Sequence, residues 1–162
     1  MYELSDNETL KVSAFIPSPG TAGEQFFVSN SNYAVLGFEI SLSKQDWTPE
    51  EEGFDLGGTG ISFAILTIES PTFNIWTPFN QEGLGRHPLS KKGLNCFDVY
   101  EVENSIFSSK NAYLCRKHFV FQFEDSTLDI VCKEIKVFLF KGDVERMEMK
   151  VLEMFQNRLT SH

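Results

Sequence analysis

Apolar and polar residues alternate with a period of two along much of the chain, the pattern of a β-strand with one buried face. The alternation is clearest at residues 10–16, 36–42, 118–123 and 127–132. Residues 61–69 are apolar on both sides, as in a central strand that is covered on both faces. Shorter segments of strand character are residues 25–28, 72–77, 95–102 and 135–139. The pattern predicts a mostly antiparallel β-sheet, curled or partly barrel-like.

Residues 118–123 and 127–132 form a predicted hairpin. A two-residue loop at Asp125 and Ser126 would place residue 119 opposite 132, 121 opposite 130 and 123 opposite 128. One face is then wholly apolar: Phe119, Phe121, Phe123, Leu128, Ile130 and Cys132. The other face includes His118, Gln122, Thr127 and Asp129. After Cys132 the alternation shifts by one residue at Lys133 and Glu134, which predicts a bulge or a tight turn.

The chain ends in a predicted amphipathic helix. Asp143 is a suitable N-cap, and apolar residues then recur at spacings of three and four. They are Val144, Met147, Val151, Leu152, Phe155 and Leu159, with Arg146, Lys150, Asn157 and Arg158 on much of the other side. A single apolar stripe predicts a helix that packs on one face of the sheet. The fold class is therefore α+β, and 162 residues fit a single domain over 1–162.

The net charge is unevenly distributed. The chain has 23 acidic and 14 basic side chains, for a net charge of −9. Residues 1–81 contain 11 of the acidic and two of the basic side chains, so this half accounts for the whole net charge. A negative surface has the wrong sign for binding phosphates. The composition therefore argues against nucleic-acid binding and favours association with a cationic partner.

Five of those acidic residues lie in one long connection between predicted strands. The acidic segment, residues 46–55, contains Asp46, Glu50, Glu51, Glu52 and Asp55, together with Trp47. Thr48, Pro49 and Glu51 have the form of a capping box, which predicts a helical turn over residues 48–53. Interfaces favour aromatic anchors with charged groups around them. The predicted partner-binding residues are therefore Asp46, Trp47, Glu50, Glu51, Glu52 and Asp55. The alternative is a solvated charge run with Trp47 in the core.

Metal and cofactor sites have weak signals. Cys115 and His118 have C-x-x-H spacing, and Cys132 could complete a partial zinc site. The predicted hairpin puts His118 and Cys132 on opposite faces, so a shared ion is disfavoured. The glycines of residues 57–60 precede a strand, whereas a phosphate loop follows a strand and opens a helix. The sequence predicts no metal and no cofactor.

Catalytic groupings are equally weak. Glu101 and Glu103 share a strand face and could act as an acid–base pair, but a solvated face has the same pattern. His87 and Cys96 could form a nucleophile–base pair, although the loop between them fixes no geometry. The sequence therefore predicts no catalytic residues and a protein that is not an enzyme.

The C-terminal part resembles a known class of proteins. The succession of residues 97–104 (FDVYEVEN), 108–115, the hairpin 118–132, residues 135–140 and the final helix is similar to small bacterial immunity proteins of polymorphic-toxin systems, including the immunity protein 10 type. The resemblance covers about 65 residues by element order, and it transfers no functional residue. It implies a cytoplasmic protein that binds a cognate toxin and blocks it. A nuclease-type toxin, which needs a cationic surface to attack nucleic acid, suits the acidic half.

The sequence also predicts where the protein is located. Residues 1–6 have neither the basic nor the apolar region of a secretory signal, and no apolar run reaches the ~20 residues of a membrane helix. The sequence thus predicts a cytoplasmic protein that does not bind membranes.

The first alternative function is an apolar-ligand-binding β domain, because 16 Phe could line a cavity. The second is an uncharacterised hydrolase.

Overall fold

The computed structural model describes residues 7–21, 24–40, 54–55, 61–77, 86–110 and 116–161. Its β-strands are β1 (Thr9–Val12), β2 (Gln25–Ser29), β3 (Tyr33–Glu39), β4 (Phe54–Asp55), β5 (Ile61–Glu69), β6 (Phe73–Thr77), β7 (Val99–Glu103), β8 (Lys117–Gln122), β9 (Thr127–Cys132) and β10 (Glu134–Gly142). The helices are α1 (Ile106–Lys110) and α2 (Val144–Thr160), and a 3-10 turn spans Pro88–Lys92.

The strands form two five-stranded sheets. The first sheet has the order β1-β7-β8-β9-β6, and the second has the order β2-β3-β5-β10-β4. Neighbouring strands are antiparallel except for β4 and β10, which are parallel. The predicted α+β class, with a mostly antiparallel sheet and a C-terminal helix, is confirmed. The division into two sheets is a feature that the alternation of residues did not predict.

Aromatic side chains fill the space between the two sheets. Phe38 of the second sheet meets Phe121 and Phe123 of the hairpin, with ring centroids 6.2 and 5.6 Å apart. Trp76 stacks on Phe123 at 5.7 Å. The apolar face predicted for the hairpin is buried in this core, including Cys132. Phe38, Phe119, Phe121 and Phe123 therefore help to join the two sheets.

The predicted register of the hairpin is wrong by two residues. Phe119 pairs with Ile130, and Phe121 pairs with Leu128. Gln122 pairs with Thr127, and the Phe123 N–H donates to the Ser126 carbonyl at 2.9 Å, so the tip of the hairpin is at Glu124 and Asp125, one residue earlier than predicted. A shift of two preserves the period of the strand, and each residue therefore keeps its predicted face.

The chain passes between the sheets at two neighbouring points. β5 leads to β6 through Ser70, which has a φ of +48°. β9 leads to β10 through Lys133, whose N–H donates to the Glu69 carbonyl at 3.0 Å. The shift in alternation after Cys132 thus marks a change of sheet, which requires the tight turn that the sequence predicts.

Helix α2 covers the outer face of the second sheet. Asp143 is its N-cap, as predicted, and accepts a hydrogen bond from the Arg146 N–H at 2.9 Å. Met147 and Val151 are buried against β3 and β5. Leu152 and Leu159, which the stripe placed toward the sheet, are 45% and 51% exposed instead. β5 is covered by α2 on one face and by the first sheet on the other, which confirms its prediction as a central strand.

Arg158 departs from its predicted position on the polar side of the helix. Its guanidinium lies over the Tyr33 ring, 5.4 Å from the centroid, and bonds the Glu69 carboxylate at 3.1 Å. Neither helix of the described ranges is long and apolar enough to cross a bilayer.

Candidate functional site

The predicted partner-binding residues fall mostly outside the described ranges. Outside the described ranges are Asp46, Trp47, Glu50, Glu51 and Glu52. The predicted helical turn and the glycines of residues 57–60 also lie outside them. Asp55 belongs to β4, whose backbone pairs with Lys141 of β10.

The described residues fix where the acidic segment is attached. β3 ends at Glu39, and the following residue, Ile40, donates its N–H to the Ser62 carbonyl at 3.0 Å. The chain returns in β4 beside Phe140, and β5 then starts with Ile61 opposite Gly142. The connection that contains the acidic segment therefore leaves the second sheet after Ile40 and returns to it in β4 at the same end, which we call the acidic end.

Two more carboxylates lie at the acidic end. Glu24 precedes β2 and is exposed, and Glu39 is half-buried at the end of β3. Their backbones are joined by a hydrogen bond from the Glu39 N–H to the Glu24 carbonyl, at 3.5 Å. Lys141 supplies a cation at the same end of β10. The strands thus gather separate acidic positions of the first half of the chain in one region.

A second candidate site is a buried polar cluster on the outer face of the first sheet. The Asp129 carboxylate of β9 lies between two imidazoles: Oδ2 is 2.7 Å from His87 Nε2, and Oδ1 is 2.9 Å from His118 Nε2. His118 Nδ1 is in turn 2.8 Å from Ser105 Oγ. We call these four residues the Asp129 cluster. His118 and Ser105 are fully buried, and His87 and Asp129 are each 2% exposed.

Two backbone N–H groups determine which atoms of the cluster donate and which accept hydrogen bonds. The Leu89 N–H donates to His87 Nδ1 at 3.1 Å, so the tautomer with its proton on Nε2 can donate to Asp129. The Phe107 N–H donates to Ser105 Oγ at 3.2 Å, which leaves the Ser105 hydroxyl hydrogen for His118 Nδ1. His118 then donates from Nε2 to the second carboxylate oxygen. One set of tautomers therefore satisfies the whole cluster.

The carboxylate is ionised in this environment. Burial alone would raise the pKa of Asp129, but the hydrogen bonds from His118 and His87 outweigh it and lower the pKa below the ordinary value of 3.8. Two N–H donors thus offset the cost of removing a charge from water.

Ser105, His118 and Asp129 have the residue types of a nucleophile, a base and an orienting acid. The arrangement cannot reach a substrate in the folded state, because Ser105 and His118 have no exposed surface. The serine oxygen also accepts the Phe107 N–H, which fixes it inside the structure. We assign the Asp129 cluster a structural role.

We therefore expect Ser105 to be unreactive. A fluorophosphonate probe, which modifies activated serines, should leave the native protein at its unmodified mass. Intact-mass spectrometry after prolonged incubation measures this directly, with a serine hydrolase as the positive control. Stoichiometric modification of Ser105, mapped by peptide analysis, would contradict the structural assignment.

The groupings considered from the sequence do not form sites among the described residues. Glu101 lies 3.5 Å from Lys117, whereas Glu103 accepts from Thr9 at 3.3 Å, so the two acids face different neighbours. His87 directs its nitrogens to Asp129 and Leu89 rather than to Cys96.

The predicted opposition of Cys132 and His118 is confirmed. Cys132 lies in the core between the sheets, and His118 lies on the outer face. Burial raises the pKa of Cys132 to about 12, so its thiol is a packing group rather than a nucleophile. Cys115 lies outside the described ranges.

A polar cleft of about 330 Å³ lies at the end of the second sheet away from the acidic end. Tyr33, Glu69, Ser70 and Arg158 line it, with asparagines of the β2–β3 turn. Its two charges already pair with each other, since Arg158 bonds Glu69. Burial raises the pKa of Tyr33, which keeps its hydroxyl protonated.

Comparison of the chain with family models, with curated protein sequences and with solved structures gives no match.

The Asp129 cluster had a signal in the sequence. The hairpin pattern places His118 and Asp129 on the same face, and both interrupt otherwise apolar strands. A polar residue in such a strand is either solvated or paired inside the protein. His87 and Ser105 come from distant segments, so only the folded chain shows that the pair is buried.

Proposed function

We propose that this chain is a cytoplasmic protein-binding inhibitor of the immunity type, which blocks a cationic toxin through its acidic end. The observation that carries the proposal is that the connection containing the acidic segment leaves the second sheet after Ile40 and returns in β4 at the same end of the sheet. A binding loop on a rigid sheet is a common arrangement for recognition. The resemblance of the C-terminal part to immunity proteins supports the same function.

The charge distribution supports a cationic partner. Residues 1–81 carry 11 acidic and two basic side chains, and Glu24 and Glu39 lie beside the attachment points of the acidic segment. Such a surface increases the association rate with an oppositely charged protein. A nuclease-type toxin presents a cationic surface to nucleic acid, so an acidic inhibitor can occupy the same surface.

The interior favours binding at the surface over the two alternatives. An apolar ligand would lie between the two sheets. Aromatic rings occupy this space and contact one another there: Phe38, Phe121, Phe123 and Trp76. The serine, histidine and carboxylate groups of the Asp129 cluster are buried and hydrogen-bonded, which does not suit a hydrolase.

The proposal is tested with a triple charge reversal, Glu50→Lys, Glu51→Lys and Glu52→Lys. The binding partner for the test is the toxin domain encoded by the gene next to that of this chain, in catalytically inactive form. We expect the association rate at low salt to fall by roughly 10–1,000-fold, because electrostatic steering is lost. The dependence of the rate on salt should also become weaker. Stopped-flow or surface-plasmon measurements at several ionic strengths give both quantities.

The matched control is Glu103→Lys, Glu134→Lys and Glu153→Lys, which changes the net charge equally at exposed positions farther from the acidic end. This variant should retain most of the association rate. Equal losses in the two variants would indicate a general charge effect, and an unchanged triple variant would reject the acidic segment as the surface. Failure of the wild-type chain to bind the neighbouring toxin domain, or to protect cells that express it, would reject the immunity function.

A further inference from the structure

Two separate chain segments cover the outer face of the first sheet. The first is the 3-10 turn with its flanks, residues 86–94, from which Leu89 packs against Tyr100, Val102 and Val120. The second is Ser105 with helix α1. Its Phe107 ring meets the His118 ring edge-on, with centroids 5.7 Å apart. The buried Glu8 carboxylate also holds the start of α1, by accepting the Ile106 N–H at 2.9 Å.

Both segments are fastened to the same carboxylate. The first segment reaches Asp129 Oδ2 through His87, and the second reaches Oδ1 through Ser105 and His118. Each imidazole therefore satisfies one oxygen of a single buried charge. A buried charge that loses a partner becomes strongly unfavourable unless water replaces that partner.

Because they share one carboxylate, the hydrogen bonds that hold the two segments depend on each other. If the first segment lifts, water reaches Asp129 and replaces the His87 bond. The bond between Asp129 and His118 then competes with water, so it contributes less to holding the second segment. The same argument applies in the opposite direction, because coupling between two events is reciprocal.

We propose that residues 86–94 and the Ser105–α1 segment open and close as one cooperative strap over the first sheet, with the Asp129 carboxylate as the coupling group. In the closed state the strap covers the apolar residues Tyr100, Val102 and Val120. In the open state all three are uncovered together. The proposal is independent of the acidic end and of the identity of a toxin.

Native-state hydrogen exchange of the wild-type protein tests the strap. The Leu89 amide, bonded to His87, reports on the first segment, and the Phe107 amide, bonded to Ser105, reports on the second. We expect these two amides to open with the same equilibrium constant and the same dependence on urea. Both should open at least about tenfold more often than the central amides of β5, which report global unfolding.

A variant tests the coupling through Asp129. Ser105→Ala removes the group that supports His118 and does not touch Leu89, yet it should raise the opening frequency of the Leu89 amide by roughly tenfold or more. The matched control is Ser108→Ala, because Ser108 lies on the same helix and bonds the backbone carbonyl of Ser105 at 3.0 Å rather than any side chain of the cluster. The control should leave the Leu89 amide unchanged.

Three results would overturn the proposal. The Leu89 and Phe107 amides could open with different constants in the wild type, they could open only with β5, or Ser105→Ala could leave the Leu89 amide unchanged. The two wild-type measurements are decisive even if Ser105→Ala does not fold.

Discussion

Replacing Asp129 by alanine should lower the free energy of unfolding by about 3–5 kcal/mol, because two buried imidazole N–H groups lose their acceptor at a typical cost of about 1–3 kcal/mol each. His87 cannot avoid the loss by changing tautomer, since its Nδ1 accepts from Leu89. Urea denaturation at neutral pH, followed by circular dichroism, measures the change.

The control for this prediction is Asp125→Ala, which removes an exposed carboxylate from the loop of the same hairpin. It should change the stability by no more than about 0.5 kcal/mol, as is usual for surface positions. A loss of less than about 1 kcal/mol for Asp129→Ala would show that the cluster does not depend on its carboxylate.

The same carboxylate gives a pH dependence of known sign. The pKa of Asp129 is lowered below 3.8 in the folded state, so its contribution to stability is fully present above 3.8. The contribution is lost as the pH falls from 3.8 through the folded-state pKa. We therefore expect the stability difference between the wild type and Asp129→Asn to be constant near neutral pH and to shrink below about pH 4. A difference that grows in acid would contradict the assigned ionisation.

The second large effect is expected at Gly37, where α2 packs directly on β3. A Cβ atom at this position would lie 2.5 Å from Val151 Cγ2 and 3.3 Å from Met147 Cγ. Gly37→Ala should therefore displace the helix and cost about 2–3 kcal/mol, as overpacked cores do. Without this contact the substitution would be stabilising, because alanine restricts the unfolded chain.

A double-mutant cycle isolates the contact. Val151→Ala removes the Cγ2 atom and should itself be destabilising, since it shortens a buried side chain. In its presence Gly37→Ala should cost at least about 1 kcal/mol less than it does alone. Denaturant titration of the four proteins gives the coupling, and additive costs would show that Gly37 does not limit the approach of the helix.

The hairpin shows how far a residue pattern predicts a fold. The apolar face of residues 118–132 follows from the period of two, and the structure buries it. The register does not follow from that period, because a shift of two residues leaves every side chain on its face. The Phe123–Ser126 hydrogen bond places the tip at Glu124 and Asp125, one residue earlier than the pattern suggests, and this moves every pair of the hairpin by two residues.

The candidate sites are likewise predicted in part by the sequence and decided in part by the folded chain. The sequence locates the acidic segment by its charge, whereas the second sheet brings Glu24, Glu39 and Asp55 to the same end. The hairpin pattern relates His118 to Asp129, but His87 and Ser105 come from other segments, so no local pattern relates all four residues. Their contacts depend on which turns cover the first sheet.

By itself the sequence determined the properties that depend on neighbouring residues: the strand faces, the Asp143 cap, the presence of the final helix and the uneven charge. Tertiary structure alone decided the division of the strands into two sheets, the hairpin register, the burial of the Asp129 cluster and the approach of α2 to Gly37. The physical reason is the range of the interactions. Periodicity and capping act within a few residues, whereas sheet order and the burial of a charge depend on segments that meet only in the folded chain.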